Sequence, residues 1–125
     1  MNEPAKVEEI PARWRKDVCE VLDCHRDCVI IPRRVQENWE QMNRCDDFAE
    51  LIYHLCASLS EALKEEGIKG TSIERNGDDK GEIWEFRYRQ DENKMYGKIS
   101  LRLINNKGTR QVYIYSAHIE ERAYL

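Results

Sequence analysis

The sequence predicts a single α+β domain, with N-terminal helices packed on one face of a C-terminal antiparallel four-stranded sheet. Three observations predict it. Apolar residues recur at helical spacing up to Gly67, the period changes from 3.6 to 2 from Gly70 onward, and the alternating segments are joined by short links that favour antiparallel neighbours. With 125 residues, 41% of them hydrophobic and 35% charged, the chain has apolar material for one compact core and no room for a second domain.

The elements follow in order. After a polar lead-in over 1–10, Pro11 suits the first turn of a helix, and Trp14, Val18, Val21 and Leu22 place that helix over 11–24. Cys28-Val29-Ile30-Ile31 is a short apolar run stopped by Pro32, either a brief buried strand or a packed connector. Val35, Trp39 and Met42 fall at i, i+4, i+7 and mark a second helix over 33–43. Asp47 with Glu50 has capping-box spacing, and Phe48, Leu51, Ile52, Leu55, Leu59, Ala62 and Leu63 form one stripe ending at Glu66-Gly67, so a third helix spans 47–66 and closes a helical part over 11–67.

Within 70–118, turn sequences at Asn76-Gly77-Asp78-Asp79, Asp91-Glu92-Asn93 and Asn105-Asn106-Lys107-Gly108 separate strands over 71–75, 82–90, 95–104 and 110–118, leaving a tail over 119–125. Alternation puts Trp84, Phe86, Tyr88, Ile99, Leu101, Leu103, Val112 and Ile114 on an apolar face that packs on the third helix. The other face gathers Arg87, Arg89, Lys98, Arg102, Tyr113 and Tyr115, with Ser100 among them and Glu85 opposite Lys98. Cations there can grip phosphates and tyrosines can stack on unpaired bases, while the plainer reading is a solvated sheet face with cross-strand pairs.

Charge and cysteine usage bound the function. Residues 1–81 hold 12 Lys+Arg and 18 Asp+Glu, for −6, and residues 82–125 hold 8 and 6, for +2, which sum to the net −4 of the chain. A polyanion would therefore meet the C-terminal part. No apolar run approaches the roughly 18 residues needed to span a bilayer, and 1–10 lacks the apolar core of a secretion signal, so no membrane partner is expected. Five cysteines without such a signal point to a reducing, cytoplasmic setting.

Cys19, Cys24, His25 and Cys28 form C-x4-C-H-x2-C, soft ligands without the paired knuckles of a zinc site; Cys45 or Cys56 would be a replacement ligand. The plain alternative puts Cys19 and Cys28 in the core and His25 in a turn. His54, mid-helix, is assigned no role, whereas His118 ends the last strand either beside the basic face, where a general acid or base would meet substrate, or on the core-side parity of Val112 and Ile114.

Ile83-Trp84-Glu85-Phe86-Arg87-Tyr88-Arg89, then Lys94-Met95-Tyr96-Gly97-Lys98-Ile99, then Val112-Tyr113-Ile114-Tyr115-Ser116-Ala117-His118 resemble the C-terminal sheet of the MqsR toxins, within the RelE-like ribonuclease-toxin superfamily. The resemblance covers residues 83–118 and implies a sheet face that cleaves mRNA without metal or cofactor, the 2′-hydroxyl attacking the phosphate. On it, Tyr96 matches the strand tyrosine of the site, Glu85 stands where a glutamine is expected, and His118 stands where a terminal lysine is expected. Glu and His can serve as base and acid in that chemistry. Partners are then RNA and an antitoxin-like protein. The rival expectations are a non-enzymatic interaction module (immunity, antitoxin-like or phage accessory protein) and a small zinc-binding module.

Overall fold

The structure, a computed structural model, describes residues 6–74, 76–104 and 108–120. In chain order the elements are β1 (Glu8–Glu9), α1 (Ala12–Cys24), β2 (Val29–Ile30), α2 (Arg33–Met42), α3 (Phe48–Leu63), β3 (Lys69–Ile73), β4 (Glu82–Gln90), β5 (Asn93–Leu103) and β6 (Arg110–Ile119). The α+β class, helices first and long strands last, is as the sequence predicts.

The sheet is not the predicted four-stranded antiparallel one. It has six strands in the order β1-β3-β4-β5-β6-β2 and is mixed, because β2 runs parallel to β6, with Val29 opposite Val112 and Ile30 opposite Tyr113. The remaining pairs are antiparallel. Both additions are two-residue edge strands, too short to show an alternation. Cys28–Ile31 thus contributes a strand, and the lead-in contributes β1. The first predicted strand, over 71–75, is shifted to Lys69–Ile73, and its predicted end at Arg75 lies outside the described residues, as do 105–107 of the last turn and 121–125 of the tail.

Each helix forms for a local reason. Asp47 caps α3, its carboxylate accepting from the Glu50 N–H at 2.8 Å, while Glu50 reaches back to the Asp46 N–H at 2.9 Å. The left-handed Gly67 (φ 80°) follows the helix. Arg15 of α1 donates to the carbonyls of Leu63 and Glu65 at 3.0 and 3.2 Å, supplying donors to the carbonyls at the end of α3.

Leu51, Leu55, Leu59 and Leu63 of α3 join Trp14, Val18 and Leu22 of α1, Val35 and Trp39 of α2, and Trp84, Phe86, Met95, Ile99, Val112, Ile114 and Ala117 of the sheet in one buried cluster. Phe48, predicted on the same stripe, is 57% exposed: as the first helical residue it lies a turn short of Leu51, where burial begins. Leu103, predicted on the apolar face, is also exposed, where β5 runs past its last pairing with β4 at Leu101. Gly97 is opposite Phe86, whose ring a Cβ at 97 would meet at 2.9 Å, so the glycine makes room for the aromatic.

One irregularity decides the position of the last histidine. Lys98 pairs with Ser116 while Ile99 pairs with Ile114, so Tyr115 is an extra residue in β6, a β-bulge. Strict alternation from Val112 and Ile114 would turn Ser116 and His118 into the core. The bulge reverses the parity: Ala117 is fully buried opposite Gly97, and His118 stands opposite Tyr96 on the open face.

Candidate catalytic face

The open face divides into two halves. Over one half the β3–β4 connection folds back as a strap, turning at the Asn76–Asp79 bridge with Gly77 at φ 65°. Beneath it lie Ile83 and Ser100, 1% and 0% exposed, register partners on the open-face parity. Lys98 donates to the Asn76 amide oxygen at 2.8 Å, and Arg102 donates to Asp79 Oδ2 at 2.7 Å. The same carboxylate takes the Tyr115 hydroxyl at 2.6 Å and the Gly81 N–H at 2.7 Å. The Tyr113 and Tyr115 rings meet at 4.6 Å, tilted by 49°, with Arg102 over the Tyr113 ring and Lys98 over the Tyr115 ring. The four residues predicted to bind RNA on this half are therefore engaged by the chain itself. The expected Glu85–Lys98 pair is a register pair, but Lys98 reaches Asn76 instead.

The Asp79 side chain is only 1% exposed. Burial alone would raise its pKa, but the hydrogen bonds from Arg102, Tyr115 and the Gly81 N–H hold the carboxyl well below the usual carboxylate range. A depressed folded-state pKa contributes stability that is present above the unfolded value of about 3.9 and is lost as pH falls from there toward the folded value. Asp79→Asn is expected to cost roughly 2–3 kcal/mol at pH 7, less than the ~3–5 kcal/mol of breaking a fully buried pair because Arg102 keeps some solvent, and to flatten the stability profile below about pH 4. Urea melts between pH 2 and 7 measure both; a variant whose stability still falls with acid as steeply as wild type counts against this role for Asp79.

The other half, toward the β4–β5 turn, is uncovered by the strap and holds the three residues that the resemblance singles out. The Tyr96 hydroxyl donates to Glu85 Oε2 at 2.5 Å. The Tyr96 and His118 rings are 5.5 Å apart, and the Arg87 guanidinium lies 5.0 Å from the Tyr96 centroid. Burial, reinforced by the bond to Glu85, pushes the Tyr96 pKa up, so the phenol stays neutral and donates. Arg87 also pairs with Glu120 at 2.9 Å, where it remains half-exposed, and Arg89 is exposed with no ion pair among the described residues. Register thus produces a row Arg87–Tyr96–His118 with Glu85 at the phenol end. Such a row offers a proton donor or acceptor on either side of a phenol, and cations for an anion.

The cysteine candidates are not gathered. Cys19 is buried and donates its thiol to the Ser60 carbonyl at 3.5 Å, with burial raising its pKa. Cys24 and His25 are exposed, Cys28 is half-buried, and burial pushes the Cys56 thiol up to about 12. Among the described residues no group of three or more His, Cys, Asp or Glu could hold a metal ion. His54 accepts a hydrogen bond from Trp39 Nε1 at 3.1 Å, joining α2 to α3. No helix of the described residues is long and apolar enough to cross a membrane.

Sequence reasoning missed a cleft of about 580 Å³ between α2 and the end of β6, lined by Arg34, Asn38 and Gln41 with Ser116 and His118. Its signal was present as a polar stripe at i, i+4, i+7 on the second helix. Comparison with family models, with curated proteins and with solved structures finds no match to the chain.

Proposed function

We propose that this protein is a small RNA-acting protein, a metal-independent endoribonuclease of the RelE/MqsR-like kind, working at the uncovered half of the sheet. The observation that carries the reading is the bulge at Tyr115, which brings His118 onto the face where Tyr96, Glu85 and Arg87 already meet. In the reaction, the ribose 2′-oxygen attacks the adjacent phosphorus as its proton passes to Glu85. The bond from phosphorus to the 5′-oxygen breaks, and that oxygen takes a proton from His118, leaving a 2′,3′-cyclic phosphate and a 5′-hydroxyl. Arg87 stabilises the charge that grows on the phosphorane, and Arg89 holds a neighbouring phosphate. Lys98, Arg102, Tyr113 and Tyr115 fix the strap that borders the site.

Wild-type protein is expected to cut single-stranded RNA in the presence of EDTA at low salt, leaving cyclic phosphate ends. Protein that neither binds nor cuts RNA overturns the reading. The second reading is a protein-interaction module of the immunity, antitoxin-like or phage accessory type. It is favoured by the internal engagement of Lys98, Arg102 and Arg87, which leaves fewer cations for a polyanion.

A further inference from the structure

β2 covers the outer edge of β6 only at Val112 and Tyr113. Beyond it α2 lies along the strand, and the cleft opens between them. Arg34, Asn38 and Gln41 each precede a residue that packs on the core, Val35, Trp39 and Met42, so their side chains stand at the border of the packed face and point along the cleft wall. A stripe at i, i+4, i+7 is about 10 Å long. None of these three side chains, nor Ser116 opposite them, makes a hydrogen bond or ion pair with another described residue, although Gln36 and Asn43 of the same segment are both engaged by carbonyls. The cleft is within the roughly 300–1,000 Å³ typical of small-ligand sites, and His118 is one of its lining residues.

Two amides and a hydroxyl are unusual contents for a site that only holds charge. Each amide presents one acceptor and two donors in a plane, the complement of a nucleobase edge, and a base edge is free for reading only where the strand is unpaired. Arg34 adds one cation. We infer that the α2–β6 cleft is the base-recognition subsite of the proposed ribonuclease, an inference that rests on that reading. Asn38 and Gln41 hydrogen-bond the Watson–Crick edge of the unpaired nucleotide beside the scissile phosphate. Arg34 binds the phosphate of that nucleotide, and His118 links the subsite to the reacting bond.

The test uses full-length protein and single-stranded RNA oligonucleotides that carry each of the four bases in turn on either side of the cut. Wild type is expected to prefer one base at one flanking position by roughly tenfold or more, as good side-chain pairing to a base edge discriminates. The Asn38→Ala/Gln41→Ala variant should bring that preference within about threefold, chiefly by slowing cleavage of the favoured oligonucleotides. Arg34→Ala should weaken binding of all sequences alike and lower the slope of log affinity against log salt by about 1. All three positions are at the surface, so unchanged melting temperatures accompany these effects. An unchanged preference in the double variant, or a wild type that cuts without any preference, overturns the subsite and leaves the ribonuclease standing. A wild type that neither binds nor cuts removes both and favours the protein-interaction module.

Discussion

Leu55→Asp is expected to leave the chain unfolded at 25 °C. Leu55 is fully buried in mid-helix, within the cluster that α3 shares with Phe86 and Ile114 of the sheet. Removing a core leucine costs about 2–5 kcal/mol, and placing a carboxylate in that space costs several more, against a total of roughly 5–15 kcal/mol for a domain of this kind. Far-ultraviolet circular dichroism and urea titration measure the loss. Leu55→Met, which conserves volume, is expected to cost under about 1.5 kcal/mol and to remain folded. A cooperative, native-like melt for the aspartate variant would mean that α3 does not seal the core.

The largest functional effect is expected at His118. His118→Ala should cut turnover by roughly 10²- to 10⁴-fold, the contribution typical of a positioned general acid or base, while RNA binding stays within about threefold of wild type. Single-turnover cleavage and filter binding separate the two. Glu85→Gln keeps the acceptor for the Tyr96 hydroxyl through its amide oxygen and removes the base, so it should preserve affinity and lose rate as His118→Ala does. Arg87→Ala should do the reverse in part, weakening binding and its salt dependence together. Equal losses of affinity in all three variants would indicate a binding surface without proton transfer.

The helices were legible because each carries its own period and its own stops: Asp47 with Glu50 at one end of α3 and Gly67 beyond the other. The central strands were legible for the same reason, and β4 spans the predicted Glu82–Gln90. The edge strands were not, since two residues have no period; β1 and β2 exist because longer neighbours, β3 and β6, present a free backbone edge.

At the site, the cross-strand grouping of Glu85, Tyr96 and Arg87 follows from alternation and hairpin register alone. The strap over Lys98 and Arg102 does not, because Asn76-Gly77-Asp78-Asp79 reads as a turn whichever way it folds. A trace of it is there nonetheless: Ile83 is apolar on a polar parity and needs a cover, which the strap provides. The side of His118 was ambiguous for a physical reason too. Apolar residues at 112 and 114 and then at 117 and 119 are out of phase by one, and the polar pair between them hides which residue is supernumerary.

That extra residue makes the chemistry of the face depend on strand register as much as on residue type. Deleting Tyr115 removes the bulge and not the arrangement: Ser116 then follows Ile114 in plain alternation, and Ala117 and His118 keep their places opposite Gly97 and Tyr96. A related strand of the same length but without the bulge would align column by column through Ser116-Ala117-His118 and still present a different surface, with Ala117 outward and the imidazole inward. Conversely, a relative whose terminal cation is one position earlier, without the bulge, would present it in the same place. Position in an alignment is therefore the wrong ruler for this site; the side each residue faces, set by what opposes it on β5, is the right one.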